Sequence, residues 1–289
     1  MALPIIVDTD IGNDPDDLIA LAMVLDRMDL FDLRAVITTG KNTGLRALFV
    51  NHICKLSSRE VPICVGISPE LSKEPSKLHL KFFMESGADL SPSNTFPQAH
   101  DILREILTPE ITIITIGPLS TLADLIITNP SMVENNVSQV ISMGGFISQN
   151  NPKHVKEYNF GCDQKATRLV LSKGFQHICV TKNVCQGIML YPKSVNSTQF
   201  SRSPARKFAF SFMNEWFKDR KMKILHDPFT LAFSLKPDKL KLKRVSFDIN
   251  NNGGCKGTII DSGNRFATIG KSPNNIDWFS NILYGEEEK

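Results

Sequence analysis

No stretch of this chain approaches the roughly 20 consecutive apolar residues that cross a bilayer, and its first apolar run, Ile5-Ile6-Val7, is cut short by Asp8. A basic region followed by an apolar core is also lacking at the start, so no secretory leader is expected. The expectation is a cytoplasmic protein that neither crosses nor coats a membrane. Charge of one sign is absent too: 33 Lys and Arg stand against 30 Asp and Glu, a net charge of +3. Nothing in that balance calls for nucleic acid or an anionic surface as a partner. The six cysteines, at 54, 64, 162, 179, 185 and 255, form no C-x-x-C pair. In so long a chain this argues against a zinc site or a disulfide framework and for buried thiols, with Cys54 and Cys64 as core residues rather than nucleophiles. Repeats, low-complexity tracts and linkers are missing, so the 289 residues, 42% hydrophobic, are expected to form one domain over 1–289.

What the chain does have is a crowd of aspartates. Asp8-Thr-Asp10-Ile-Gly12-Asn-Asp14-Pro-Asp16-Asp17 places five carboxylates between the apolar run 5–7 and the helix-like Leu18-Ile-Ala-Leu-Ala. Ionised neighbours raise each other's pKa, so such a turn asks for a cation or a ligand's hydroxyls. With no Cys or His among the donors, a hard oxygen-seeking cation, Ca²⁺ or Mg²⁺, is the expected remedy. Gly12 permits a tight reversal, and Asp16 and Asp17 fall in a first helical turn, where negative charge is favourable. An ordinary Asp-rich helix cap would explain one or two of the five.

Apolar runs alternate with amphipathic segments along the chain: 4–8 then 17–30; 33–39 then 45–56; 61–65; 111–116 then 119–127; 137–143 then 164–171. Further strands are expected at 177–181 and 265–269, with 245–249 as an edge or antiparallel strand. Such repeated βα units predict an α/β fold, a Rossmann-like, mainly parallel sheet with helices on both faces. Ser68–His100 is polar and poorly periodic and reads as an insertion, a lid or an oligomer contact, with His79 and His100 solvated. The closing Gly285-Glu-Glu-Glu-Lys289 is expected to fray.

Four more segments put polar groups where strands of such a sheet should end, the side on which ligands collect. They are Thr38-Thr39-Gly40-Lys41-Asn42; Thr115-Ile116-Gly117-Pro118-Leu119, whose Gly and Pro turn the backbone and leave a carbonyl free; Met143-Gly144-Gly145 through Asn151 to Glu157-Tyr158-Asn159; and His226-Asp227-Pro228-Phe229, with Asp227 suited to an N-cap and Pro228 to a first turn. In this order and rough spacing, D-T-D-x-G…D-D, I-G-P-L-S, M-G-G followed by E-x-N, and H-D-P make the chain resemble the inosine–uridine preferring nucleoside hydrolases over essentially its whole length.

That resemblance implies the nucleoside hydrolase fold and a Ca²⁺ ion held by Asp10, Asp17, the main-chain carbonyl of Ile116 and Asp227. It places ribose contacts on Asp16, Asn151, Glu157, Asn159 and Asp227. It also implies a small-molecule nucleoside or riboside partner, a role in purine or pyrimidine salvage, and a homodimer or homotetramer. The expected reaction is Ca²⁺-dependent hydrolysis of an N-glycosidic bond, releasing base and ribose. Positive charge built on the sugar suits a ring of carboxylates and amides. Asp10 is expected to take a proton from a water on the metal, and His226 to protonate or hydrogen-bond the departing base.

Three features depart from the family pattern. The acidic loop is longer, leaving Asp14 without a counterpart. Thr39-Gly40-Lys41-Asn42 stands where the family has V-A-G-N, so that Lys41 or Asn42 could approach the sugar and a lysine could favour an anionic substrate. Ser120-Thr121 stands for Thr-Asn. A catalytically idle ribosyl- or polyol-binding protein on the same fold is the alternative, disfavoured by retention of Asp10, Asp17, Asp227 and His226. A haloacid-dehalogenase-type phosphatase reading of Asp8-Thr-Asp10 leaves His226-Asp227-Pro228 unexplained. Arg202–Lys223 is basic, but Phe208, Phe212 and Trp216 follow helical spacing, so it reads as an amphipathic helix. Phe212, Trp216 or Phe217 would then be candidates to stack on a base.

Overall fold

A computed structural model describes residues 1–148, 153–195, 203–269, 273 and 276–285. Strand Leu3–Thr9 (β1) is its axis. Ile5 and Val7 face one core cluster and Ile6 the other, the two-sided burial expected of a central parallel strand. Phe31–Thr38 (β2) and Ile63–Val65 (β3) extend the sheet to one side of β1. Thr112–Thr115 (β4), Gln139–Met143 (β5), Gln176–Val180 (β7) and Arg265–Thr268 (β12) extend it to the other, with every contact through β12 parallel. Leu242–Ile249 (β10), Gly254–Ile259 (β11) and Val155–Lys156 (β6) complete it in antiparallel fashion. The order is β3-β2-β1-β4-β5-β7-β12-β10-β11-β6 among the described residues. Residues 245–249 are antiparallel as expected, pairing with β11, while 242–244 of the same strand pair with β12.

Helices cover both faces. Asp16–Asp26 (α1), Thr43–Leu56 (α2), Lys77–Glu85 (α3), Pro204–Phe217 (α10), His226–Leu235 (α11) and Asp277–Tyr284 (α12) pack over one. Ala99–Ile106 (α4), Ser120–Thr128 (α5), Pro130–Asn136 (α6) and Gln164–Leu171 (α8) pack over the other. Short helices Tyr158–Cys162 (α7) and Lys182–Cys185 (α9), and the two-stranded pair Met189–Leu190 (β8) with Lys223–Ile224 (β9), complete the elements used below. The chain builds outward from β1 in one direction and, from β4, in the other. A crevice therefore opens at their carboxyl ends, where α/β sheets bind ligands.

The polar segment 68–100 contains α3, whose Phe83 enters the core. His79, expected in solvent, is fully buried among Phe49, Phe83 and Phe212. Its place one helical turn before Phe83 puts both on the inward face. His100 is half-exposed beside Asp101. All six cysteines are free and buried, and no helix among the described residues is long and apolar enough to cross a membrane.

Candidate active site

At the crevice, loops leaving β1, β4, β5 and β7 meet the N-terminus of α11 around a cavity of about 270 Å³. It is lined by Asp10, Asn13, Asp14, Asp16, Asp17, Lys73, Ile116, Met143, Glu157, Tyr158, Asn159, Lys182, His226 and Asp227. The acidic turn is thus joined by the residues that the later motifs contribute. Asn151 lies outside the described residues. Lys41 and Asn42 do not line the cavity: the Lys41 carbonyl accepts Arg46 Nε, and Asn42 caps α2. Phe212, Trp216 and Phe217 do not line it either; among the described residues Tyr158 and the His226 imidazole bring rings to the cavity.

Backbone geometry brings the groups close. Gly12 has φ +126°, a conformation that side chains resist, and a Cβ on it would press on Phe49, Pro75 and Arg46. A Cβ on Gly117 would stand 3.0 Å from Asp10 N, so only glycine lets the β4–α5 turn lie against the β1 loop. Ile116 N–H donates to the Asp8 carbonyl at 2.8 Å, tying the two strand ends together. The fully buried Arg46 straps the acidic loop from behind, donating to the carbonyls of Asp10, of Ile11 (2.6 Å), of Lys41 (2.8 Å) and of Lys73 (2.6 Å).

Each polar side chain is held by a specific partner. Asp17 Oδ1 accepts Thr9 Oγ1–H at 2.6 Å. Asp16 Oδ2 accepts His226 N–H at 3.0 Å and lies 3.3 Å from His226 Nδ1, while its Oδ1 is buried without a partner. Glu157 caps α7, with Oε1 accepting Asn159 N–H and Oε2 accepting Gly145 and Phe160 N–H. Asn159 Nδ2 donates to the carbonyls of Ile116 and Met143, each at 3.0 Å. Asp227 sits inside the first turn of α11, with Leu225 rather than Asp227 at the N-cap.

The electrostatics are those of a buried acidic pocket that Arg46 and Lys223 offset in part. Burial, reinforced by Asp10, lifts the Asp8 pKa well above the ordinary carboxylate value. Burial, with Asp10 and then Asp14, does the same for Asp17, and burial with Asp16 and Asp17 does so for Asp227. Asp10 rises to about 6 through burial and Asp14, against the opposing charge of Arg46. Sequence reasoning missed Arg46, Lys73, Tyr158, Lys182 and Lys223. Lys223 is bonded to Asp14 at 2.5 Å across 209 positions, and no local pattern signals such a pair.

Asp10, Asp17, Asp227 and the Ile116 carbonyl offer oxygen donors to the cavity, beside Lys73, Lys182 and His226, and Asp16 Oδ1 is a buried acceptor without a hydrogen-bond partner. This chemistry fits a hard divalent cation and a polyhydroxylated ligand. Among the described residues no three His, Cys, Asp or Glu side chains converge as a ready-made metal cluster.

Comparison with known proteins gives the same reading from a different direction. Residues 5–282 match the family model described as inosine-uridine preferring nucleoside hydrolase. Pyrimidine-specific ribonucleoside hydrolase RihA of Escherichia coli is 26% identical over 260 residues, covering 82% of this chain and 81% of that protein. RihA of Salmonella paratyphi A is 27% identical over 258 residues, with the same coverage. Among solved structures, a plant nucleoside hydrolase superposes with a TM-score of 0.74 at 20% identity, over 99% of both chains. An inosine-uridine preferring nucleoside hydrolase from Bacillus anthracis gives 0.73 at 20% identity, over 99% of this chain and 100% of that one. The chain belongs to the inosine-uridine preferring nucleoside hydrolase family, enzymes that hydrolyse the N-glycosyl bond of ribonucleosides.

Proposed function

We propose that this chain is a Ca²⁺-dependent nucleoside or riboside hydrolase in which Asp10 is the general base and His226 assists the departing base. Family membership implies a metal-dependent hydrolase. Ca²⁺ is favoured because six to eight oxygen ligands in flexible geometry suit carboxylates and a carbonyl better than the strict octahedron of Mg²⁺. Asp10, Asp17, Asp227 and the Ile116 carbonyl would hold it. Once bound, the ion supplies Lewis-acid polarisation of a water and coordination positions for vicinal hydroxyls.

The protein's own groups supply the rest. Asp10, whose main-chain carbonyl is held by Arg46, takes a proton from the attacking water onto a carboxylate oxygen. Asp16 offers the unpartnered Oδ1 to a sugar hydroxyl. Glu157 and Asn159, fixed by backbone bonds, line the sugar's pocket and contribute negative potential where the ribosyl carbon gains positive charge. His226 turns Nδ1 toward Asp16, leaving Nε2 for the leaving base.

The observation that carries this reading is the gathering of Asp10, Asp17, Ile116, Asp227, Asp16 and His226 around one cavity at the switch point of the sheet. A reducing-sugar assay over purine and pyrimidine nucleosides, with and without EDTA, tests it. Cleavage of at least one riboside is expected, lost in EDTA, restored by Ca²⁺ and reduced about 1000-fold or more in Asp10→Asn. A protein that binds ribosides and cleaves none would instead be a binding protein on this fold.

A further inference from the structure

Lys223 stands three residues before His226 on β9, its side chain nine-tenths buried. Its ammonium lies 2.5 Å from Asp14 Oδ2 and 3.3 Å from Asp16 Oδ2. The other Asp14 oxygen, Oδ1, accepts Asp16 N–H at 3.2 Å. Both oxygens of Asp14 and one of Asp16 are therefore engaged from behind the cavity wall. By contrast, among the described residues no Lys, Arg or His forms an ion pair with Asp10, Asp17 or Asp227. One ammonium pairs directly with two members of the acidic crowd and leaves Asp10, Asp17 and Asp227 without an ion-pair partner among the described residues.

We infer that Lys223 is a tethered counter-cation, a positioning residue that withholds Asp14 and Asp16 from the metal and so reserves Asp10, Asp17 and Asp227 for it. This rests on the divalent cation proposed above for the pocket. A Ca²⁺ ion gathers whatever ionised oxygens lie within reach, and the lengthened loop brings a surplus carboxylate, Asp14, to the cavity wall. An exposed Asp14 would compete for the ion. A covalently attached ammonium cannot diffuse away or be chelated, and a buried one persists only when paired, so Lys223 and Asp14 hold each other in place. Asp16 is anchored through Oδ2 by Lys223 and by His226 N–H, which leaves Oδ1 as its one open acceptor.

Calorimetric titration of the metal-stripped full chain with Ca²⁺ alone tests the inference. Lys223→Met should bind Ca²⁺ about tenfold more tightly or take up an additional equivalent, because Asp14 is released to the ion while Asp16 stays on His226 N–H. Its riboside turnover should nevertheless fall, since Asp16 and His226 lose their anchor. A merely structural lysine would lower both. Combining Lys223→Met with Asp14→Asn should return the affinity to within about threefold of wild type, and Asp14→Asn alone should stay within the same range. Lys223→Arg, which keeps the charge, should bind as wild type does. The inference is overturned if folded Lys223→Met binds Ca²⁺ no more tightly than wild type. It is equally overturned if Asp14→Asn alone loses tenfold, as a true ligand would, or if wild type binds no Ca²⁺. Should Lys223→Met fail to fold, the Asp14→Asn and Lys223→Arg titrations decide. The titrations contain no substrate, so failure of the proposed reaction would appear only in the nucleoside assay.

Discussion

Arg46 shows how much of the site rests on one residue that touches no substrate. Its guanidinium is fully buried and donates to four main-chain carbonyls, those of Asp10 and Ile11 in the acidic loop, Lys41 before α2 and Lys73 at the cavity rim. A rigid planar fork can serve several acceptors at once, and an ammonium on a flexible stem cannot. Arg46→Lys should therefore cost about 3 kcal/mol of stability in denaturant unfolding, through carbonyls left unsatisfied. It should also lower kcat/KM, because the main chain carrying Asp10 is freed. Unchanged unfolding would remove the strap from the account. The motif aspartates, Glu157, Asn159 and His226 were legible in the sequence because they stand in short local runs with recognisable spacing. Arg46, Lys223 and His79 were not, since each takes its role from partners brought together only by the fold.

At the scale of elements, continuous apolar runs announced the parallel strands, and the polar residues after them announced the loops. Helix α3 escaped because its apolar residues sit between Pro- and Ser-rich flanks, and only its inward stripe, His79 and Phe83, betrays it. The two-residue strands β6, β8 and β9 are defined by distant partners and leave no periodicity to read. The turn between β4 and α5 is the most consequential junction. There, a Cβ on Gly117 would come within 2.8 Å of Thr39 Cγ2 and 3.0 Å of Asp10 N. Gly117→Ala should push the Ile116 carbonyl and Asp10 apart. A displacement of about 1 Å can cost on the order of 100-fold in kcat/KM, with a stability loss of only about 1–3 kcal/mol. Steady-state kinetics beside thermal melting would separate the two, and wild-type kinetics would show that the turn has slack.

The molecule as a whole has a weak point in acid that lies in the sheet, apart from the cavity. His177 on β7 is 2% exposed, with Nε2 2.7 Å from Ser142 Oγ on β5, which in turn lies 2.8 Å from Thr115 Oγ1 on β4. Nδ1 has no partner. Phe175 packs nearby, and Arg265 on β12 is the charged group that acts on the ring. Burial, with Arg265 adding to it, holds the His177 pKa down to about 3, against an ordinary value of 6.5. Between those values the unfolded chain binds a proton that the folded chain refuses, so stability rises with pH across the window and is lost as pH falls below 6.5. The slope is about 1.4 kcal/mol per pH unit, roughly 2 kcal/mol between pH 6.5 and 5. Asp8, Asp10, Asp17 and Asp227, whose pKa values are raised, act in the opposite sense, so the contribution of His177 must be read as a difference. Urea unfolding of wild type and His177→Gln at pH 7, 6 and 5 supplies that difference. Wild type should lose ground to the variant steadily as the solution is acidified, because glutamine keeps a polar group opposite Ser142 and has no proton to gain. Parallel curves would mean that the ring accepts its proton within the folded sheet.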